Sequence, residues 1–111
     1  MDKVTVDSAL EHCCSLINER SIQGRLRSAR AANSGVSVEY ELHGFSVSVH
    51  VDLVYVRVDS ERQLLGKTKI SCNATQLTVT AAQEFIALYA QVAQVAQAVQ
   101  SYLDSVVLVV D

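Results

Sequence analysis

The chain has no proline, three cysteines, few aromatic residues (5%) and, from Phe85 to Leu103, nineteen consecutive positions without a charged side chain. Half of its 111 residues are apolar. That content without proline argues against disorder. A chain of this length buries about two-thirds of its unfolded surface and needs neither metal nor disulfide to fold. One domain over residues 1–111 is expected. The cysteine count is odd, and Cys13 and Cys14 are neighbours that could bridge only with strain, so a disulfide framework is not expected. The opening stretch MDKVTVDSALEHCC has no apolar core of signal-peptide length. Together these favour a reducing, cytoplasmic location. A net charge of −3 argues against a nonspecific electrostatic nucleic-acid binder. A Gly-rich phosphate loop, a nucleophile elbow and paired metal-ligand spacing are all missing from the sequence, so no enzyme, no cofactor and no bound metal are expected.

What is present is a set of alternating patterns. Ser8-Ala9-Leu10-Glu11 has capping-box spacing, and Leu10, Cys13, Cys14 and Ile17 follow on one helical face, which predicts a first helix from about Ser8 to Arg20. The stretch SIQGRLRSARAANSG breaks that pattern at Gly24 and reads as a kink or short second helix followed by a loop. From Val36 the period becomes two, with Val36, Val38, Tyr40 and Leu42 on one face. His43-Gly44 is then a two-residue hairpin turn, which would set Glu39 and Glu41 opposite Ser48 and Ser46, and His50 opposite Ser37. The next strand, FSVSVHVDLVYVRV, switches its apolar set from Phe45, Val47, Val49, Val51 and Leu53 to Val54, Val56 and Val58. Such a phase change implies a bulge near Leu53 and Val54, or a far half covered on both faces. DSER is the following turn, and QLLGKTKISCNA is the third strand. A second capping box, Thr80-Ala81-Ala82-Gln83, opens a long helix, after which β-branched Val106 to Val110 favour a short strand. The predicted class is α+β: helix, three-stranded antiparallel meander, long helix, with the helices on one sheet face and a short C-terminal strand.

The uncharged run is just long enough to span a bilayer, but Gln91, Gln94, Gln97 and Gln100 would each need a polar partner in hydrocarbon, so no membrane span is expected. On a helix, Phe85, Leu88, Val92, Val95, Val99 and Tyr102 form one seam at spacings of three and four. Ile86, Tyr89, Ala93, Ala96 and Leu103 widen the apolar arc beyond the ~100° stripe that a surface helix needs. Either the first helix packs beside the long one and covers the excess, or a second copy or a partner does. The opposite face carries Gln, Ala and Ser rather than Lys and Glu, which tips the expectation toward a homo-oligomer formed through the seam.

Three groups of residues could carry chemistry. Glu39, Glu41, His50 and Asp52 alternate onto one polar sheet face, where carboxylates beside a histidine could hold a divalent ion or exchange protons. A solvated sheet face is the simpler account. Arg20, Arg25, Arg27 and Arg30 form the basic cluster of the chain and could grip phosphate, although no aromatic is interleaved with them. His12-Cys13-Cys14 offers soft ligands, but neighbours on a helix point about 100° apart, and the cysteines read better as small core residues. The element order is shared with double-stranded RNA-binding domains, whose basic residues at the start of the last helix have no counterpart in TVTAAQEF. The expected function is therefore a small non-enzymatic interaction protein, an accessory factor or inhibitor, partnered by itself and by another protein. Small phage- or mobile-element-encoded proteins that bind and block a host target fit this profile. The alternatives are nucleic-acid binding through the Arg20 to Arg30 segment, which is not favoured, and a metal-dependent enzyme on the polar face.

Overall fold

The computed structural model describes residues 2–19, 25–32, 35–42 and 44–110, with the backbone alone described for residues 25–32 and Gly35. Among these residues the elements run β1 (Asp2–Thr5), α1 (Val6–Asn18), β2 (Arg25–Ala32), β3 (Gly35–Leu42), β4 (Phe45–Val58), β5 (Glu61–Asn73), α2 (Val79–Asp104) and β6 (Val106–Val109). The expected meander is β3, β4 and β5, antiparallel throughout, inside a four-stranded sheet of order β2-β3-β4-β5. A separate two-stranded parallel ladder joins β1 to β6, so the C-terminal strand is present and pairs with an N-terminal strand that the sequence pattern does not announce.

The β3–β4 hairpin has the register that a two-residue turn dictates. Leu42 pairs with Phe45, Gly44 takes a φ of +83°, and Glu39, Glu41 and Ser37 come opposite Ser48, Ser46 and His50. His43 lies outside the described residues. Asp59 and Ser60, with φ of +50° and +70°, close the β4–β5 hairpin, the left-handed pair that matches the twist of the flanking strands.

The helices sit on one face of the sheet, as the α+β layout requires. Val36, Val38 and Tyr40 of β3 and Phe45, Val47, Val49 and Val51 of β4 turn inward against Leu10, Cys13 and Ile17 of α1 and Leu88, Val92, Val95, Val99 and Leu103 of α2. Each fully buried Val or Leu contributes about 1.5–3 kcal/mol relative to exposure, so these rows dominate the driving force. α1 lies beside α2, with the ring of His12 4.1 Å from that of Tyr102. The broad apolar arc of α2 thus meets both the sheet and α1.

Four local expectations are corrected. Residues 25–32 are neither kink, helix nor loop but a strand paired with β3, with a register shift between Leu26 and Ser28. Their Arg, Ala and Ser content favours helix, and the ladder offered by the edge of β3 overrides that weak preference. α1 begins earlier than Ser8 and ends before Arg20: Thr5 is its cap, accepting a hydrogen bond from the Ser8 N–H at 3.2 Å. α2 is likewise capped by Thr78, which accepts from the Ala81 N–H at 3.1 Å, rather than by Thr80. Finally, β4 has no bulge where its apolar phase switches. Pairing with β5 runs unbroken from Ser46 with Asn73 to Val58 with Glu61, and the far half is not covered on both faces.

Candidate interaction surface

The face of the sheet turned away from the helices is polar. His50 is held between two hydroxyls, its Nδ1 3.1 Å from Ser37 Oγ and its Nε2 3.0 Å from Ser71 Oγ. A neutral imidazole donates from one nitrogen and accepts at the other, and the two serines rotate to match either tautomer. Both ring nitrogens are engaged, so the His50 imidazole ties β4 to β3 and β5 across this face. Asp52 lies 3.4 Å from Lys69 Nζ, an exposed pair of small energetic worth. Glu39 and Glu41 share this face, opposite Ser48 and Ser46. Among the described residues no three His, Cys, Asp or Glu side chains group closely enough to hold a metal ion.

The other named residues are scattered by the fold. Arg20 lies outside the described residues. On the β2 backbone Arg25 is in register with Glu41 and Arg30 with Ser37, while Arg27 falls within the register shift; their side chains are outside the description. In the seam of α2, Leu88, Val92, Val95 and Val99 are buried in the core of their own chain. Phe85 makes an edge contact with Phe45 at 5.4 Å, and Tyr102 meets His12. What α2 leaves outside is Val79, Ile86, which is 66% exposed, and Tyr89. Cys13 is wholly buried and Cys14 packs against the core, consistent with core roles for both.

A feature that residue-type searching overlooked lies at the far end of the β4–β5 hairpin. Leu103 packs on Gly66, the partner of Leu53, and five further residue pairs extend from there to the turn, with Gln63, Leu64 and Leu65 lining a cavity shared with Leu103, Asp104, Val106, Val107 and Leu108. This arm contributes to an elongated outline of 51 × 26 × 21 Å. On its inner face, the side of the helices, Tyr55 is 54% exposed with the Arg62 guanidinium stacked 4.3 Å from its ring centre. On its outer face stand Val54 and Val58, 37% and 49% exposed, with half-buried Val56 and Leu65. The signal was in the sequence as the apolar phase switch at Val54, but its cause was not, because it depends on where the helices stop.

Among the described residues no helix is long and apolar enough to cross a membrane. A scan against protein-family models, a search of curated proteins and a search of solved structures each found no match to this chain.

Proposed function

We propose that this chain is a small non-enzymatic interaction protein, an accessory factor or inhibitor that works by protein–protein binding in a reducing, cytoplasmic compartment. The observation that carries this reading is the arm: five residue pairs beyond Leu53 and Gly66, with exposed Tyr55 on one face and exposed Val54 and Val58 on the other. Tyr and Arg are, with Trp, the residue types enriched among those that dominate binding energy at interfaces. Apolar groups gathered on one exposed element mark contact sites more often than scattered ones do. The seam residues of α2 are committed to the chain's own core, so the helix enters this reading through Val79, Ile86 and Tyr89. The polar face, with His50 tied to two serines, supports a structural role better than catalysis.

The test is capture by the tagged chain from its native host, beside a variant with Tyr55→Ser and Arg62→Ser on the inner face of the arm. Both side chains are exposed, so folding is expected to survive and is checked by circular dichroism. A specific partner retained by the parent and lost by the variant supports the reading. Equal capture by both places the contact elsewhere, and no capture by the parent removes it.

A further inference from the structure

We propose that the outer face of the arm is a self-association face, on which a second copy of this chain packs about a two-fold axis with the two arms antiparallel. The proposal rests on the reading above and names one partner. Through Val51 the buried apolar side chains of β4 point toward the helices; from Val54 onward Val54, Val56 and Val58 point the other way, joined by Leu65 opposite Val54. Continuous register produces this switch without a bulge, and both helices lie on the opposite face. Among the described residues, Val54, Val56, Val58 and Leu65 neither belong to the core cluster nor pack against it.

The identity of the occupant comes from the order of the rows. From root to tip the outer face reads Asp52 with Lys67, Val54 with Leu65, Val56 with Gln63, then Val58 with Glu61. A two-fold axis between the second and third rows lays the Val54 and Leu65 row on the Val56 and Gln63 row of the other copy. The same operation sets Glu61 at each tip against Lys67 at the other root. Asp52 is already paired with Lys69, and neither Glu61 nor Lys67 has an ion pair among the described residues. An apolar centre with opposite charges at its two ends is self-complementary, which is the condition an isologous contact must meet. Charges at such a rim fix register and orientation more than they add affinity. The apolar rows cover about 20 Å by about 10 Å on ribbon geometry, roughly 200 Å² per copy, well below the ~800 Å² per partner of a standard interface. The association is therefore at the weak end, and measurement must reach concentrations of about 1 mM.

Sedimentation velocity on the full chain across that range tests it. The parent is expected to dimerise, and Val56→Lys to remove the dimer. Glu61→Lys and Lys67→Glu are each expected to weaken it about tenfold, because the two-fold axis places like charges together twice. The double variant Glu61→Lys with Lys67→Glu is expected to restore parental affinity, and Ile86→Glu on the helix to leave it unchanged. Glu61 and Lys67 are exposed, so the charge variants decide the matter even if Val56→Lys fails to fold. A monomer at every concentration overturns the proposal, as does a dimer indifferent to the charge changes or one dissociated by Ile86→Glu. Sensitivity of a captured foreign protein, rather than of self-association, to the outer-face variants also overturns it. Because the capture test uses inner-face variants, failure there is read separately from failure here.

Discussion

Gly66 of β5 and Leu103 of α2 fit so closely that a Cβ on the glycine would stand 2.9 Å from Leu103 Cδ1 and 3.1 Å from Cδ2. The absent side chain leaves room for the end of the long helix to settle on the ribbon, and a Cβ here would make the Leu103 side chain shift. Gly66→Ala is expected to push Leu103 off its packing and cost about 1–3 kcal/mol. Leu103→Ala alone should cost about 2–5 kcal/mol through the cavity it leaves. The two changes together should cost less than their sum, because the smaller residue 103 makes room for the new methyl group. Urea unfolding of the four proteins measures this, and strict additivity would refute the contact.

One turn earlier on α2, Gln100 does the work of a strand. Its Oε1 accepts from the Thr68 N–H at 2.8 Å and its Nε2 donates to the Gly66 carbonyl at 3.1 Å, with a further bond from Nε2 to Asp104 Oδ1 at 2.9 Å. Two groups on the open edge of β5 are thereby satisfied by a side-chain amide, which blunts an edge that could otherwise pair with another chain. Gln100→Ala is expected to cost about 1–2 kcal/mol and to speed hydrogen exchange at the Thr68 amide selectively. Unchanged protection at Thr68 would show that the edge is shielded by something else.

Thr68 itself carries a small defect. Its Oγ1 is buried and has no hydrogen-bond partner among the described residues, although its N–H is satisfied by Gln100. Replacing an unpaired buried hydroxyl by a methyl group of similar volume removes a desolvation cost, so Thr68→Val should stabilise the protein by about 1 kcal/mol. A melting temperature that falls would mean that the hydroxyl has a partner, such as bound water.

The elements that could be read from the sequence are those whose geometry is set locally. Val36 to Leu42 and Phe45 to Leu53 alternate cleanly, and a two-residue turn leaves one register, so Glu39 with Ser48 and Ser37 with His50 followed from residues 43 and 44. β2 was misread because nothing in RLRSARAA favours extension until β3 lies beside it. The caps were displaced because Val6 and Val79 are β-branched and look like strand residues at the first position of a helix. The breadth of the apolar arc on α2 was visible, but whether α1 or another molecule met it is a tertiary fact. The arm shows the same division: the phase switch at Val54 was legible, while the end of the core that leaves it uncovered depends on Gly66 and Leu103, which are distant in sequence.

Cys13 offers a test of the core through pH. Burial, and secondarily the neighbouring Cys14, push its thiol from 9.0 up to about 11. Burial also raises Cys14, Tyr40 and Tyr102 in the same direction. In the unfolded chain Cys13 loses its proton near 9.0, whereas in the folded chain it keeps it until about 11, so between these values the native state binds more protons. Stability from this group is therefore complete below pH 9.0 and lost as pH rises through about 11. Urea unfolding across that window should give a falling stability, with a shallower fall in Cys13→Ala, which has no thiol to titrate. The same burial keeps the thiolate scarce and shielded, so iodoacetamide near neutral pH should label exposed Cys72 first and reach Cys13 only when the core opens. Equal labelling of Cys13 and Cys72 in the folded protein would contradict the packing of α1 on the sheet.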